Sequence, residues 1–553
     1  MLELLRSSVD ELGQTTVMVT HDPRAATMAD RILFIADGLI VKDARSSTSN
    51  ERLVDTRGAA RRPPSPRWGT ISAMPRKGLA AVVVLLAAGS AALAFVLVRG
   101  GSAAPGETPQ ATFRDRNGDG ILERAGGEPL VDRTELAPRS RAVRRIALFA
   151  QLTDAHVVDE ESPARLELLD RRGPPFTSAF RPQEALSGQV LAAAVRSLNA
   201  LKPQAVIVTG DLIDNAQRNE LAEALAILRG GRVDPNSGAP GYQGVQAASD
   251  PDPYYYRADV DPPRHPGLLA RAERTFASPG LQAPWYPVAG NHDLLVQGNF
   301  APTARTNAIA TGARKILTLN AAALQAVQGL RLTPAVVSQL LQDGPPGTGA
   351  RVPADARRRE LSAAETLAVL RRASGHGGRG LLLDYAFDVG GVRGIVLDTI
   401  SRRGGASGLV RPTQVRWLGR RLRAAGGRPV VVFSHTPLTS STGGAAALAL
   451  LDRDPHVVAA VSGDTHRNQI RPRGHYWLVG TSSLADYPQQ ARAFELDRTA
   501  NGGYLLQTWM VDHDPSDRDA ESSRELAYLD FQGGRVQGFA GTRADRNARL
   551  YMR

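Results

Sequence analysis

The sequence has no cysteine. That excludes disulfides, thiolate metal sites and a cysteine nucleophile, and leaves either side of a membrane open as a location. It has no Gly-rich loop ending in Gly-Lys-Ser/Thr, so it lacks the phosphate cradle of nucleotide-hydrolysing P-loops. It also has no long cluster of basic charge. Lysine and arginine total 67 against 55 acidic residues, a net +12, but the arginines are scattered along the chain. That is the pattern of a solvated surface, and nucleic acid is not expected as a partner. What is present is length and an ordinary apolar fraction. The 553 residues are too many for one core, so several parts are expected.

The first 44 residues read as a short α/β fragment. Thr15 to Thr20 is a β-branched strand, His21-Asp22-Pro23 a turn, and Arg31 to Ile35 a strand entering the turn Asp37-Gly38. Val19-Thr20-His21-Asp22, Ala29-Asp30-Arg31 and the segment Ile35 to Val41 resemble the C-terminal end of an ABC-transporter ATPase domain. Without a phosphate loop, the resemblance implies a non-functional fragment with His21 as a relic. Residues 45–78, rich in Ser, Pro and Arg, read as a linker.

Leu79 to Val98 is a run of 20 residues without a charge. At ~1.5 Å per residue it spans about 30 Å, the thickness of a bilayer core. A buried core helix is the alternative. Arg61, Arg62, Arg67, Arg76 and Lys77 precede the run and only Arg99 follows closely. The positive-inside rule then predicts a single-pass anchor at 79–98, with all that follows outside the cytoplasm. Met74-Pro75-Arg76-Lys77 reads as the start of a signal anchor, so residues 1–73 are expected to be a fusion remnant or an over-extended reading frame. The small residues Gly101 to Ala104 leave a cleaved signal, and thus secretion, open. Residues 99–142 read as a polar extracytoplasmic linker. Its Asp115-Arg116-Asn117-Gly118-Asp119-Gly120 reads as a plain turn, because Gly126 stands where a calcium loop needs a bidentate Glu.

From Arg145 the texture changes. Five apolar runs each end in chemistry-bearing residues. Ile146 to Leu152 ends in Thr153-Asp154-Ala155-His156. Ala205 to Val208 ends in Thr209-Gly210-Asp211, with Asp214 close behind. Trp285 to Ala289 ends in Gly290-Asn291-His292-Asp293. Pro429 to Phe433 ends in Ser434-His435, and Val457 to Val461 in Ser462-Gly463-Asp464-Thr465-His466. In an α/β sandwich such ends meet at one edge. A ligand set of oxygens and nitrogens suits a pair of divalent ions such as Mn, Fe or Zn.

This order of motifs resembles the calcineurin-like metallophosphoesterase superfamily, over roughly residues 143–513. The stretches "AQLTDAHVVDEESPARLELLD", "FRPQE", "GNHDLLVQGNF" and "DYPQQARAFELD" look like an uncharacterised, typically exported bacterial branch of it. Ser522 to Leu526 and Ala544 to Asn547 resemble the end of that branch, so the domain is taken as 143–553. The resemblance implies a four-layer α/β/β/α sandwich with large inserts, at about 215–285 and 299–380. It implies a dinuclear centre: Asp154, His156 and His466 for one ion, Asn291, His435 and Asp464 for the other, and Asp211 shared. It makes His292 the acid that protonates the leaving oxygen, steered by Asp214. Asp293 reads as support for the turn. Asp464 departs from the pattern, which has His there. A carboxylate at that position favours Mn, Mg or Fe over Zn, or loosens the second ion.

The inserts lie where substrate choice is made. Tyr254-Tyr255-Tyr256 could stack on a base or sugar or could pack the insert, and Arg218, Arg305 and Arg467 are candidate phosphate contacts. His265, His376, His456, His475 and His513 lack motif context and read as structural or exposed; of these His513, flanked by Asp512 and Asp514, has the neighbours closest to those of a ligand. The expected function is hydrolysis of a small-molecule or lipid phosphate mono- or diester. The alternative is a non-catalytic surface binding protein with a degenerate metal site. Oligomeric state is not legible.

Overall fold

The computed structural model describes residues 31–36, 39–45, 106–172, 176–319, 349–533 and 539–553, with isolated positions between 321 and 340. The chain divides into two units, 1–95 and 96–553. Of the first, the described part is an antiparallel pair, Arg31–Ala36 with Leu39–Arg45. Among the described residues no helix is long and apolar enough to cross a membrane. The apolar run 79–98 lies outside the described residues, as do the Thr15–Thr20 strand and much of the insert between 320 and 348.

The second unit is built on two sheets. In chain order the sheet strands are β1 (Val131–Arg133), β2 (Ala142–Leu152), β3 (Val206–Val208), β4 (Trp285–Pro287), β5 (Tyr385–Val389), β6 (Val392–Leu397) and β7 (Val430–Ser434). They continue with β8 (Val457–Ser462), β9 (Gln469–Arg473), β10 (Tyr476–Gly480), β11 (Gln490–Thr499), β12 (Tyr504–Asp512) and β13 (Ala548–Met552). The longer helices are α1 (Ser187–Leu201), α2 (Arg218–Arg229), α3 (Ala363–Ser374), α4 (Pro412–Arg423), α5 (Gly444–Leu451) and α6 (Arg518–Gln532). One sheet has seven strands in the order β4-β3-β2-β11-β12-β13-β1; the other has six, in the order β5-β6-β7-β8-β10-β9. The site-bearing strands β2, β3 and β4 run parallel in the first, and β7 and β8 run parallel in the second.

The two-residue alternation of a strand sorts the core. Val431 and Phe433 face the first sheet, in one cluster with Phe149, while Val430 and Val432 face Leu418 and Leu422 of α4 and Leu448 of α5. Phe149 stacks on Phe494 at 5.0 Å within its own sheet and meets Phe433 edge-on at 6.1 Å across the sandwich. On the outer face of the first sheet, Val190, Leu191, Ala194 and Leu198 of α1 complete the core. The result is the helix–sheet–sheet–helix layering that the sequence motifs imply. Local signals set the helix ends. Ser362 accepts from Glu365 N at 3.3 Å, and the Glu365 carboxylate accepts from Ser362 N at 2.8 Å, so α3 starts on a capping box and ends at Gly375 in the left-handed region.

One boundary needs correcting. Residues 99–142 read as a linker, yet from residue 106 they belong to the domain. Thr108 N and Oγ1 both donate to Met510 O, Asn547 Nδ2 donates to Glu128 O, and β1 pairs with β13 at the sheet edge. Strands of three and four residues carry too little apolar periodicity to be read. In the insert region 215–285, α2 covers α1 in the helix layer, and Tyr255 is buried against Phe180 at 5.0 Å. Of the tyrosine triplet, Tyr255 packs the insert, while Tyr254 is 40% exposed.

Candidate metal centre

The carboxyl ends of β2, β3, β4, β7 and β8 deliver Asp154 and His156, Asp211, Asn291, His435, and Asp464 and His466 to one place. Ligand atoms of Asp154, His156 and His466 lie within 4.8 Å of one another, and so do those of Asp154, Asp211 and His435. The Oδ2 of Asp211 is 3.8 Å from His156 Nε2 and 3.2 Å from His435 Nε2, within reach of both halves. Asp464 Oδ1 is 3.5 Å from His435 Nε2. A third group, His156, Asp214 and His292, adjoins them.

The backbone is bent to achieve this. Among the described residues nine non-glycine positions have positive φ, and Asp154, His156, Asp211, Asp464 and His466 are five of them. Each such residue costs about 1–3 kcal/mol, which the surrounding packing must offset. Gly290 is required for a different reason: a Cβ there would collide with the backbone and carboxylate of Asp211. Asp293 locks the two turns together, its Oδ2 accepting from Gly290 N at 2.8 Å and its Oδ1 from Leu212 N at 2.8 Å.

Hydrogen-bond bookkeeping tests whether cations fit. His156 Nδ1 lies 2.7 Å from the Asp214 carboxylate, and His466 Nδ1 bonds the Asp486 carboxylate. Those contacts assign the ring protons to Nδ1. The two Nε2 lone pairs then face each other at 3.2 Å. His435 Nδ1 donates to Thr209 O at 2.8 Å, so its Nε2 lone pair faces Asn291 Oδ1 at 3.1 Å and Asp211 Oδ2. Asn291 spends its amide on Gly298 O at 3.2 Å. Donors are thus turned outward and acceptors inward, an arrangement that cations satisfy. The residues fit a metal centre.

The electrostatics show what replaces a cation when none is bound: a proton on Nε2 of His435 and of His466. Burial alone would raise the Asp211 carboxyl, but His435, His292 and His156 around it hold it far below the usual range. Burial opposes charge on His466 too, yet Asp154 and Asp486 lift it to about 10. His435 is likewise raised, against burial, chiefly by Asp211. The carboxylate field that favours a proton on these rings favours a cation there. His156 differs: burial and the neighbouring His292 push it down to about 4. Burial lowers His292 as well, but Asp211 and Asp214 outweigh it and raise it. His292 Nδ1 is anchored 2.9 Å from Asp214 O and 3.1 Å from Asp214 Oδ1. His292 also lines a cleft of about 370 Å³ together with Asp464 and His466.

Sequence reading missed the residues behind the ligands. Arg165 bridges the Asp214 and Glu184 carboxylates, and Arg181 Nε donates to Asp486 at 2.7 Å. All four stand within the stretches that carry the closer resemblance, 150–170, 180–184 and 486–497, but none ends one of the five apolar runs, so no role is assigned to them from spacing. Of the arginines considered from sequence, Arg218, Arg305 and Arg467 are not among the described residues lining the cleft; Arg181 is. His513 is buried against Arg524 at 2.9 Å, apart from this cluster.

Residues 148–468 match the model of the calcineurin-like phosphoesterase family. The chain belongs to that family. It is a phosphoesterase, a metal-dependent hydrolase, and the cluster above occupies the matched region. Among solved structures the chain is similar to a dimetal phosphatase from Danio rerio, at 13% identity over 66% of this chain and 96% of that one, with a TM-score of 0.34. It is also similar to a purple acid phosphatase, PPD1, from yellow lupin (Lupinus luteus) seeds, at 11% identity over 69% of this chain and 54% of that one, with a TM-score of 0.27. Among curated proteins it is similar to the macrolide export ATP-binding/permease protein MacB of Rhodopirellula baltica, 37% identical over 99 residues. That match takes in 17% of this chain and 14% of the transporter's length.

Proposed function

We propose that this phosphoesterase hydrolyses a phosphate mono- or diester at a dinuclear centre. Asp154, His156 and His466 hold one divalent ion, Asn291, His435 and Asp464 hold the other, and Asp211 serves both. The observation that carries this reading is the inward convergence of lone pairs, above all the Nε2 atoms of His156 and His466 at 3.2 Å. When bound, such ions supply Lewis acidity toward the phosphoryl oxygens and lower the pKa of water to give a nucleophile near neutral pH.

The chain's own residues do the rest. Asp214, held by Arg165, fixes the rings of both His156 and His292. With Nδ1 of His292 engaged, its Nε2 is the atom left to protonate the leaving oxygen. The Asp214 contacts hold the ring in place for that transfer. Asp486, held by Arg181, orients His466 in the same way. The domain works outside the cytoplasm, tethered by residues 79–98; the support for this is the uncharged run and the basic residues before it.

The test is turnover of bis(4-nitrophenyl) phosphate with Mn²⁺, together with metal content. The wild type should hydrolyse it and carry two ions per chain. His292→Ala should lose ~10²–10⁴-fold in turnover and keep its metal; loss of metal would refute the acid role. For the tether, the natural protein should sediment with membranes and its domain should be cleaved by protease added to spheroplasts. A protease-resistant domain in spheroplasts would place it inside.

A further inference from the structure

The cleft over the metal centre has one wall of rings. Phe176, Tyr487, Phe531 and Phe539 line it, and all four are partly exposed. Tyr487 sits 5.1 Å from Phe531, and Phe539 sits 5.8 Å from the His466 ring. The wall is joined to the chemistry, since Tyr487 follows Asp486, the carboxylate that orients His466. Partly exposed aromatic rings beside a polar centre are costly to leave wet and suit a flat apolar group.

The remaining lining is mostly polar and includes four carboxylates, Asp211 among them. Asp464, Asp486 and Asp530 are the others. Among its described lining residues the one guanidinium or ammonium is Arg181, and that group is committed: Nε donates to Asp486 at 2.7 Å and Nη1 to Ser178 O at 3.2 Å. Charge balance at the centre points the same way. Two divalent ions are already balanced by three carboxylates, Asp154, Asp211 and Asp464, together with the hydroxide nucleophile. Each further negative charge on the substrate is then unbalanced, so a monoester dianion is disfavoured more than a phosphodiester monoanion.

Resting on the function proposed above, we propose that the cleft selects monoanionic phosphodiesters carrying a flat apolar group, which lies against Tyr487, Phe531 and Phe539. Asp464 sets the charge preference and the rings set the shape preference.

Non-hydrolysable probes test this by calorimetry on the full-length, Mn²⁺-loaded chain: diphenylphosphinate, dimethylphosphinate and the dianion phenylphosphonate. Diphenylphosphinate should bind ~10-fold or more tighter than dimethylphosphinate, as stacking on exposed rings gives, and tighter than phenylphosphonate. Tyr487→Ala and Phe531→Ala should each cut the diphenyl preference several-fold and leave dimethylphosphinate binding unchanged. Equal affinity for the two phosphinates, or tighter phenylphosphonate, would overturn the proposal. Rates separate its failure from that of the underlying function. Hydrolysis of ethyl and phenyl 4-nitrophenyl phosphate at equal kcat/KM would overturn the selectivity alone, whereas no hydrolysis of either would overturn the dinuclear reading as well.

Discussion

The centre contains the same three-residue turn twice. Asp154-Ala155-His156 ends β2 in one sheet, and Asp464-Thr465-His466 ends β8 in the other. In both, Asp and His have positive φ. In both, a carboxylate backed by an arginine fixes the imidazole Nδ1: Arg165 and Asp214 for His156, Arg181 and Asp486 for His466. Their surroundings then part them. Asp154 is fully buried and Asp464 is 21% exposed at the cleft. Burial would raise both carboxyls, but the adjacent His466 holds Asp154 low, while Asp464, next to Asp211 and Asp154, stays raised to about 6. The histidines follow the same order, His156 at about 4 and His466 at about 10. One turn is set as a buried floor for metal, the other as the wall a substrate meets. Identical local geometry thus acquires different roles from what lies behind it and from access to water.

Breaking the floor should cost most. Asp154→Asn replaces a buried carboxylate shared by two ligand groups. It should strip the ion held with His156 and His466, weaken the other, and reduce turnover by more than the ~10–100-fold that losing an outer hydrogen-bond partner costs. Asp464→Asn should loosen one ion and keep the other. Metal analysis of the two variants decides it: equal losses would erase the distinction between floor and wall.

Much of this contrast was legible in the chain. Five apolar runs ending in Asp, Asn or His gave the strands, their order and the seven residues that converge, because strand ends and turn residues are local features. The supporting arginines and Asp486 fall in stretches marked by resemblance, but their pairing was not legible, since a salt bridge between residues 305 apart in sequence, as in Arg181–Asp486, leaves no spacing to read. The edge strand β1 escaped for a related reason: three half-buried residues, Val131–Arg133, take their place only once β13 is beside them.

Those arginines supply the next largest effect, on stability. Arg165 is buried, and its removal strands two buried carboxylates, Asp214 and Glu184. Arg165→Gln should cost about 3–5 kcal/mol in denaturant unfolding. Arg181→Gln should cost less, because its partner Asp486 is 14% exposed and water can take up part of the charge. The carboxylates themselves come third. Asp214→Asn and Asp486→Asn should each weaken metal binding by ~10–100-fold, but only Asp214→Asn should also lower kcat once metal is restored, because Asp214 alone of the two holds His292. A matching kcat defect in Asp486→Asn would show that the wall turn takes part in proton delivery.

The finest distinction lies at residue 464 itself. Asp464 Oδ1 is 3.5 Å from His435 Nε2, and its side chain borders the open cleft, so a longer ring has room to turn outward. Asp464→His exchanges a hard, negative oxygen for a neutral nitrogen without touching the floor turn. By ligand preference this should move the second ion toward Zn over Mn by about tenfold and leave the first unchanged. Competitive metal titration reads the two ions separately. A shift at both would mean that Asp464 acts through the field of the whole cluster, and no shift at either would remove it from the ligand set. If only the second ion moves, the two turns are independent halves of one centre. The second ion and the charge of the substrate it tolerates are then set by the same carboxylate.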